Sequence, residues 1–439
     1  MKPKDRGRSV DRDRMIDVTV FVILLAAVSV LTLTLFSRQT YGSPETGYHS
    51  DMKAYILEIQ GLNEKYSYPY PVFFKIAAFV DLFTTPEFAV ALTTMLLNSL
   101  AIVIVKLAMN RLILPKCKES GSGFLKKGWP AGVALSFVSV SLFFISMLFP
   151  PNGIYLPGIK FKYLGVFTAN PFHNATYLAA RPFAVLAFLY YTKLLPMYEK
   201  GVHMRKSGAL AESAGFLDYV LFSAFLLLST MTKPSFTIVL VGAAGLIMLF
   251  RLIRSGFRNF VPTLQLGLCF VPTFIDLLYQ YGGVFVAKEG EEGGIGFGFG
   301  EVWGYYCDNI PLAMCLAVGF PLLVLVLNFK ELKRDARYRF SWQIYLMSFA
   351  MAFFLYEKGF RKPDFNFSWG YEYGIFFCHL GALLVLLKTT VSAGLIDAAQ
   401  SRAGRRRLLF LAAQWLAYLW HVVCGLYYFA EFMSGKMYY

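Results

Sequence analysis

Apolar blocks of about 20 residues recur along this chain and constrain its fold more than any other feature, because a helix of that length crosses the ~30 Å hydrocarbon layer of a bilayer. They fall near 16–37, 87–110, 130–150, 176–196, 216–231, 234–251, 261–281, 310–328, 342–356, 373–388 and 408–430. Hydrophobic residues make up 57% of the 439 and charged residues only 16%. A soluble domain has about 25% charged residues, and a water-soluble chain this apolar could not cover its surface with polar groups. The sequence therefore predicts an all-α integral membrane protein with about eleven transmembrane helices. A basic amino-terminal stretch, 1–15, leads into a polytopic domain, 16–430, and a short tail, 431–439. The first block is long enough to span, and Ser37-Arg38-Gln39 is a poor cleavage site, so it reads as a retained anchor rather than a signal peptide.

The net charge of +15 raises the question of a nucleic-acid partner, but the charges sort by loop instead. The amino terminus and the loops near 111–129, 197–215, 252–260, 329–341 and 389–407, with the adjoining span ends, hold 27 Lys and Arg, against 13 on the other side. Cytoplasmic loops carry the excess. The expectation is an amino terminus inside, a carboxyl terminus outside, a plasma-membrane location and no nucleic-acid partner. The six cysteines form no CxxC or Cys/His cluster, so neither a disulfide framework nor zinc is indicated.

The outer loops are the longer ones, near 38–86, 151–175, 282–309 and 357–372, and long loops in a compact protein carry function. The first contains Tyr48-His49-Ser50-Asp51-Met52, a helical stretch to Leu62, and the run Tyr66-Ser67-Tyr68-Pro69-Tyr70-Pro71. The prolines force an extended turn. The segment after Pro71, with Lys75 and Asp81, is too short and too charged to span. It reads as an amphipathic interfacial helix. Thr84-Thr85-Pro86-Glu87-Phe88-Ala89 then opens the second span.

This order resembles the GT-C glycosyltransferases, in particular the group containing protein O-mannosyltransferases and the lipid A aminoarabinose transferase. Its marks are a first span, an early acidic residue in a long outer loop, an aromatic-and-proline run, an interfacial helix and a Glu-Phe-Ala entry to span two. The Thr232-Lys233-Pro234-Ser235 hairpin resembles that group as well. The sequence departs from it at Pro69-Tyr70-Pro71, where the prolines are not adjacent. It departs again after Ala89, where no arginine follows. One carboxylate, Asp51, also stands where several relatives have two. A lone carboxylate holds a divalent ion poorly, so a divalent cation stays open and no metal ligand is assigned.

The resemblance implies a GT-C-like fold and transfer of a sugar from a polyprenyl-phosphate donor to a lipid, glycan or protein acceptor of the cell envelope. Such chemistry needs a carboxylate to take the acceptor proton and cations to stabilise the departing phosphate. Asp51 is the candidate base, though a loop aspartate could equally cap the following helix. His49 is its neighbour. Arg181, Lys233, Arg361 and Lys362 are candidate phosphate contacts, with snorkelling to headgroups as the plain alternative. Tyr68, Trp369 and Glu372, and the stretch Asn170-Pro171-Phe172-His173-Asn174, offer rings and polar groups to a sugar, or an interfacial aromatic belt. The glycine-rich run from Glu289 to Gly300 lacks the strand and helix of a nucleotide loop. It reads as a flap that Phe297 and Phe299 could close, or as a plain connector. A transporter or flippase, a polysaccharide polymerase or ligase, and a non-catalytic assembly protein are the competing readings. Ion-coupled transport is disfavoured because the spans read as nearly free of ionisable groups.

Overall fold

The computed structural model describes residues 3–64, 68–120, 128–148, 167–200, 215–284, 293–393 and 401–436. Helices dominate: α1 (Pro3–Tyr41), α2 (Met52–Ile59), α3 (Pro71–Asp81), α4 (Pro86–Ser120), α5 (Gly128–Ser141), α6 (Ala175–Glu199), α7 (Phe216–Thr232), α8 (Ser235–Arg254), α9 (Phe260–Leu268) and α10 (Val271–Val284). Strand β1 (Ile295–Phe297) follows, then α11 (Ile310–Ala317), α12 (Gly319–Leu327), α13 (Glu331–Arg334), α14 (Ala336–Phe354), strand β2 (Leu355–Glu357), α15 (Ser368–Ser392) and α16 (Arg402–Met433).

Each apolar block of the sequence falls largely on one of these helices or on a bent pair. Six of them, α1, α4, α6, α8, α15 and α16, are long and apolar enough to cross a membrane. Two bent pairs, α9 with α10 at 52° and α11 with α12 at 72°, raise the number to eight. The chain is thus nearly all-α and multi-pass, with six to eight such segments among the described residues. The difference from eleven lies in α5, α7 and α14. The first two have only 14 and 17 residues. The third carries Arg337, Arg339 and Gln343 in its first two turns, which dilutes its apolar character.

Helix α15 is the hub, packed against α14, α4, α8 and α12. Small residues permit the approach of α14: a Cβ added at Gly374 or Gly381 would run into Ser348 or Ser341. In lipid, where apolar burial alone drives no association, such close packing holds helices together. A second seam joins α1, α4 and α5. There Lys106 Nζ donates to Asp17 Oδ1 at 2.8 Å and to Gly132 O at 2.7 Å, and Ser136 Oγ reaches the same carboxylate at 3.1 Å. The bent pair α11–α12 is held at its break by His421. This residue accepts the Phe320 N–H at Nε2 (3.1 Å) and donates from Nδ1 to Ser146 O at 2.6 Å.

The loop before α4 folds as its sequence suggests. Tyr70 is extended and Pro71 starts α3, a position where a missing N–H costs nothing. Phe73, Phe74 and Ala77 turn inward while Phe79, Leu82 and Phe83 stay exposed, as an interfacial helix requires. The glycine-rich run behaves otherwise. Its first residues, 289–292, lie outside the described residues. Its centre is neither a bare flap nor a plain connector, because Ile295, Gly296 and Phe297 pair antiparallel with Glu357, Tyr356 and Leu355. Phe297 also stacks on Phe354 at 5.5 Å.

Candidate functional site

Three segments far apart in sequence meet at one end of the bundle. Asn174 caps α6, its Oδ1 accepting from the Tyr177 N–H at 2.9 Å, because the first turn of a helix leaves N–H groups without partners. Its side-chain amide donates to Asp51 Oδ2 at 2.5 Å. The Asp51 N–H donates to His173 O at 3.3 Å, which fixes the start of α2 beside α6. Asp51 stands at the N-cap position of α2 but does not cap it with its side chain. Its Oδ1 takes no hydrogen bond from a described residue.

Lys233 enters from the α7–α8 hairpin. The two helices are joined by one extended residue, Lys233, and by Pro234 at the start of α8. The buried ammonium donates to Thr176 Oγ1 at 3.2 Å and to Asn174 Oδ1 at 3.4 Å. It lies 4.7 Å from the centre of the Trp369 ring, a favourable cation–π placement. Thr176 also contacts the Tyr55 hydroxyl at 3.2 Å. Around Tyr55 pack Tyr68, Phe73 and Phe74.

Burial dominates the electrostatics. It raises the Asp51 carboxyl above its ordinary value, partly offset by Lys233 and by the Asn174 hydrogen bond. It lowers Lys233 to about 8, with Asp51 and Glu372 pulling the other way. His173 is driven down to about 3 by burial and by Lys233, and so is neutral. Charged groups lose hydration on burial, which favours their neutral forms.

Lys233 forms part of the wall of a cavity of about 330 Å³. Its polar lining includes Tyr70, Gln280, Glu357, Arg361, Asn366 and Trp369. Its apolar lining includes Ile238, Val239, Leu277, Met351 and Leu355, drawn from α8, α10, α14 and β2. Glu357 lies 3.2 Å from Arg361 and accepts from Asn366 at 2.8 Å, and Asn366 accepts from Trp369 at 3.2 Å. Asp51 is not on the cavity wall. It is joined to Lys233 through Asn174.

The sequence-derived candidates separate accordingly. Asp51, Lys233 and Trp369 form one cluster. Arg361 shares the cavity with Lys233, but Glu357 and Asp364, at 3.2 and 3.8 Å, hold it. Tyr68 belongs to the ring cluster over Tyr55 and stacks on Phe74. Trp369 and Glu372 are not loop residues, since both lie in the first turns of α15. Glu372 is fully buried, and neither carboxylate oxygen has a hydrogen-bond partner among the described residues. Arg181 is a core residue. It is 1% exposed, donates to Ala169 O at 2.7 Å and Asn98 Oδ1 at 3.4 Å, and lies over Phe143, Tyr177 and Phe376. Lys362 pairs with Glu301 and lies over Tyr356, and His49 is exposed; neither lines the cavity. Asp17, Lys106 and Arg181 lie toward the ends of apolar blocks read from the sequence, and the candidate span that holds α15 adds Glu372 to the ionisable groups within spans.

The sequence offers Asn174 as a sugar contact but does not single out Thr176 or Glu357 as members of this site. Asn174-Ala175-Thr176 ahead of an apolar run is a cap signal, and that was the available clue. Among the described residues no three His, Cys, Asp or Glu side chains gather as metal ligands. Compared with protein-family models, curated proteins and solved structures, the chain matches none.

Proposed function

We propose that this protein is a membrane glycosyltransferase that moves a sugar from a polyprenyl-phosphate donor to an acceptor at the extracytoplasmic face. The observation that carries the reading is Lys233: a buried cation on the wall of a cavity lined by both charged and apolar residues, joined through Asn174 to a carboxylate. A lipid-linked phosphate suits such a cavity, with the phosphate against Lys233 and Arg361 and the chain along Ile238, Val239 and Leu355. The GT-C resemblance of the first outer loop supports the same assignment. The loop charge asymmetry is in keeping with it, since the reading of eleven apolar blocks puts this end on the side poorer in Lys and Arg.

In this reaction the acceptor hydroxyl oxygen bonds to the anomeric carbon as the bond from that carbon to the phosphate oxygen breaks. The acceptor proton passes to Asp51 Oδ1, and the electron pair leaves on polyprenyl phosphate, whose charge Lys233 and Arg361 stabilise. Asp51 lies off the cavity wall and is joined to Lys233 through Asn174. A carboxyl raised by burial is a better proton acceptor than a solvated one. Phosphate is a good leaving group and needs no general acid.

The test is transfer of radiolabelled sugar from a panel of polyprenyl-phosphate sugars into membrane acceptors. Asp51→Asn should retain donor binding and lose about 10²- to 10⁴-fold in turnover. Equal transfer by wild type and variant would remove Asp51 from the mechanism. A lipid transporter is the second reading, favoured by Glu372, a buried span carboxylate without a hydrogen-bond partner; such groups mark translocation paths. Lipid movement in vesicles without sugar transfer from any donor would select it.

A further inference from the structure

Helices α8 and α14 enclose a second cavity at their other end, of about 420 Å³. Leu246, Ile247 and Phe250 form its apolar wall, and Arg251, Arg254, Arg339 and Gln343 its polar wall. The 20 residues of α8 separate it from Lys233 by about 30 Å.

Two of the three guanidiniums, those of Arg251 and Arg339, converge there on one carboxylate, Glu199 at the end of α6. Arg251 Nη2 donates to Glu199 Oε1 at 2.8 Å, and Arg339 Nη2 lies 2.6 Å from both carboxylate oxygens. Glu199 thereby orients two of the arginines without neutralising the group. Arg254 has no carboxylate partner among the described residues; its recorded contact is the Phe250 ring at 5.9 Å. The amide oxygen of Gln343 is buried and accepts no hydrogen bond from a described residue. Two cationic charges are therefore in excess, and one acceptor lacks a donor. Beside them, Leu246, Leu249, Phe250 and Ile253 expose an apolar strip along α8.

We propose that this cavity binds an anionic phospholipid with a hydroxylated headgroup. The phosphate sits among Arg251, Arg254 and Arg339, where planar guanidiniums match its oxygens. The headgroup hydroxyl donates to Gln343 Oε1. An acyl chain lies along Leu246 and Phe250. Basic pockets between transmembrane helices hold anionic headgroups by this physics. The assignment does not rest on glycosyl transfer.

The experiment is native mass spectrometry of the full chain in neutral detergent, titrated with phosphatidylglycerol, phosphatidic acid, phosphatidylcholine or inorganic phosphate. Phosphatidylglycerol should be retained in preference to phosphatidylcholine. Arg254→Gln should weaken the first retained lipid roughly fivefold, with an unchanged melting temperature in lipid-free detergent. Arg258→Gln, an exposed neighbouring cation that does not line the cavity, should leave retention as it is. Gln343→Leu should erase the preference for phosphatidylglycerol over phosphatidic acid. Equal retention of phosphatidylglycerol and phosphatidylcholine, or equal losses in the Arg254 and Arg258 variants, would overturn the site. Binding of inorganic phosphate as strong as that of phosphatidylglycerol would overturn the lipid assignment in favour of a soluble anion.

Discussion

Lys106 and Lys233 are both buried lysines, 3% and 6% exposed, yet their surroundings differ in kind. Lys106 closes on Asp17, a backbone carbonyl and the α1–α4–α5 seam. Its charge is cancelled at 2.8 Å. Lys233 meets a neutral amide, a neutral hydroxyl and a ring face, and it faces a cavity. A buried ion pair repays its desolvation only when it is fully satisfied. The first lysine is therefore a structural clamp. The second is held short of neutralisation, which leaves its charge available to an anion.

The contrast breaks most readily at the clamp. Lys106→Met should cost about 3–5 kcal/mol, because it strands the Asp17 carboxylate. The double variant with Asp17→Asn should recover much of that loss, and thermal unfolding in detergent measures both. Lys233→Met should destabilise less than Lys106→Met, since no carboxylate lies in direct contact. It should instead weaken donor binding about 10- to 100-fold, the worth of a charged hydrogen bond. A stability loss as large as that of Lys106→Met, with donor binding intact, would make Lys233 a clamp as well.

The pH profile sharpens the comparison. Lys233 is the cation below about 8, so kcat/KM for the donor should fall as pH rises through that value. Lys233→Arg, which keeps its charge, should lack this alkaline fall. Asp51 must be ionised to accept a proton, and burial raises its carboxyl. The acid limb should therefore lie above the range of a solvated aspartate and vanish in Asp51→Asn. The smallest effect expected is that of Trp369→Leu, which removes the ring under Lys233 and should weaken donor capture a few-fold, ~0.5–1 kcal/mol.

Much of the fold could be read directly from the sequence. Blocks of apolar residues become helices whatever their neighbours, since a backbone in lipid must satisfy its own hydrogen bonds. Pro71 set the start of α3, and the pair Lys233-Pro234 set the α7–α8 turn. The crossing number was less legible, because α5, α7 and α14 are apolar in part but short or interrupted by Arg337, Arg339 and Gln343.

The site was legible only as separate pieces. The family resemblance and the outer-loop positions marked Asp51, Lys233 and Trp369 one by one. Nothing local could show that Asp51 would meet Asn174, 123 residues away. Nor could it show that Arg181 would turn into the core while Arg361, with the same side chain, would line a cavity. Periodicity tells which face of a helix is buried, not which helix covers it. So the residues themselves determined a multi-pass helical membrane protein with a charged, aromatic first loop. Helix packing alone decided which lysine is closed by a carboxylate and which is left facing a cavity, because that depends on partners contributed by distant segments.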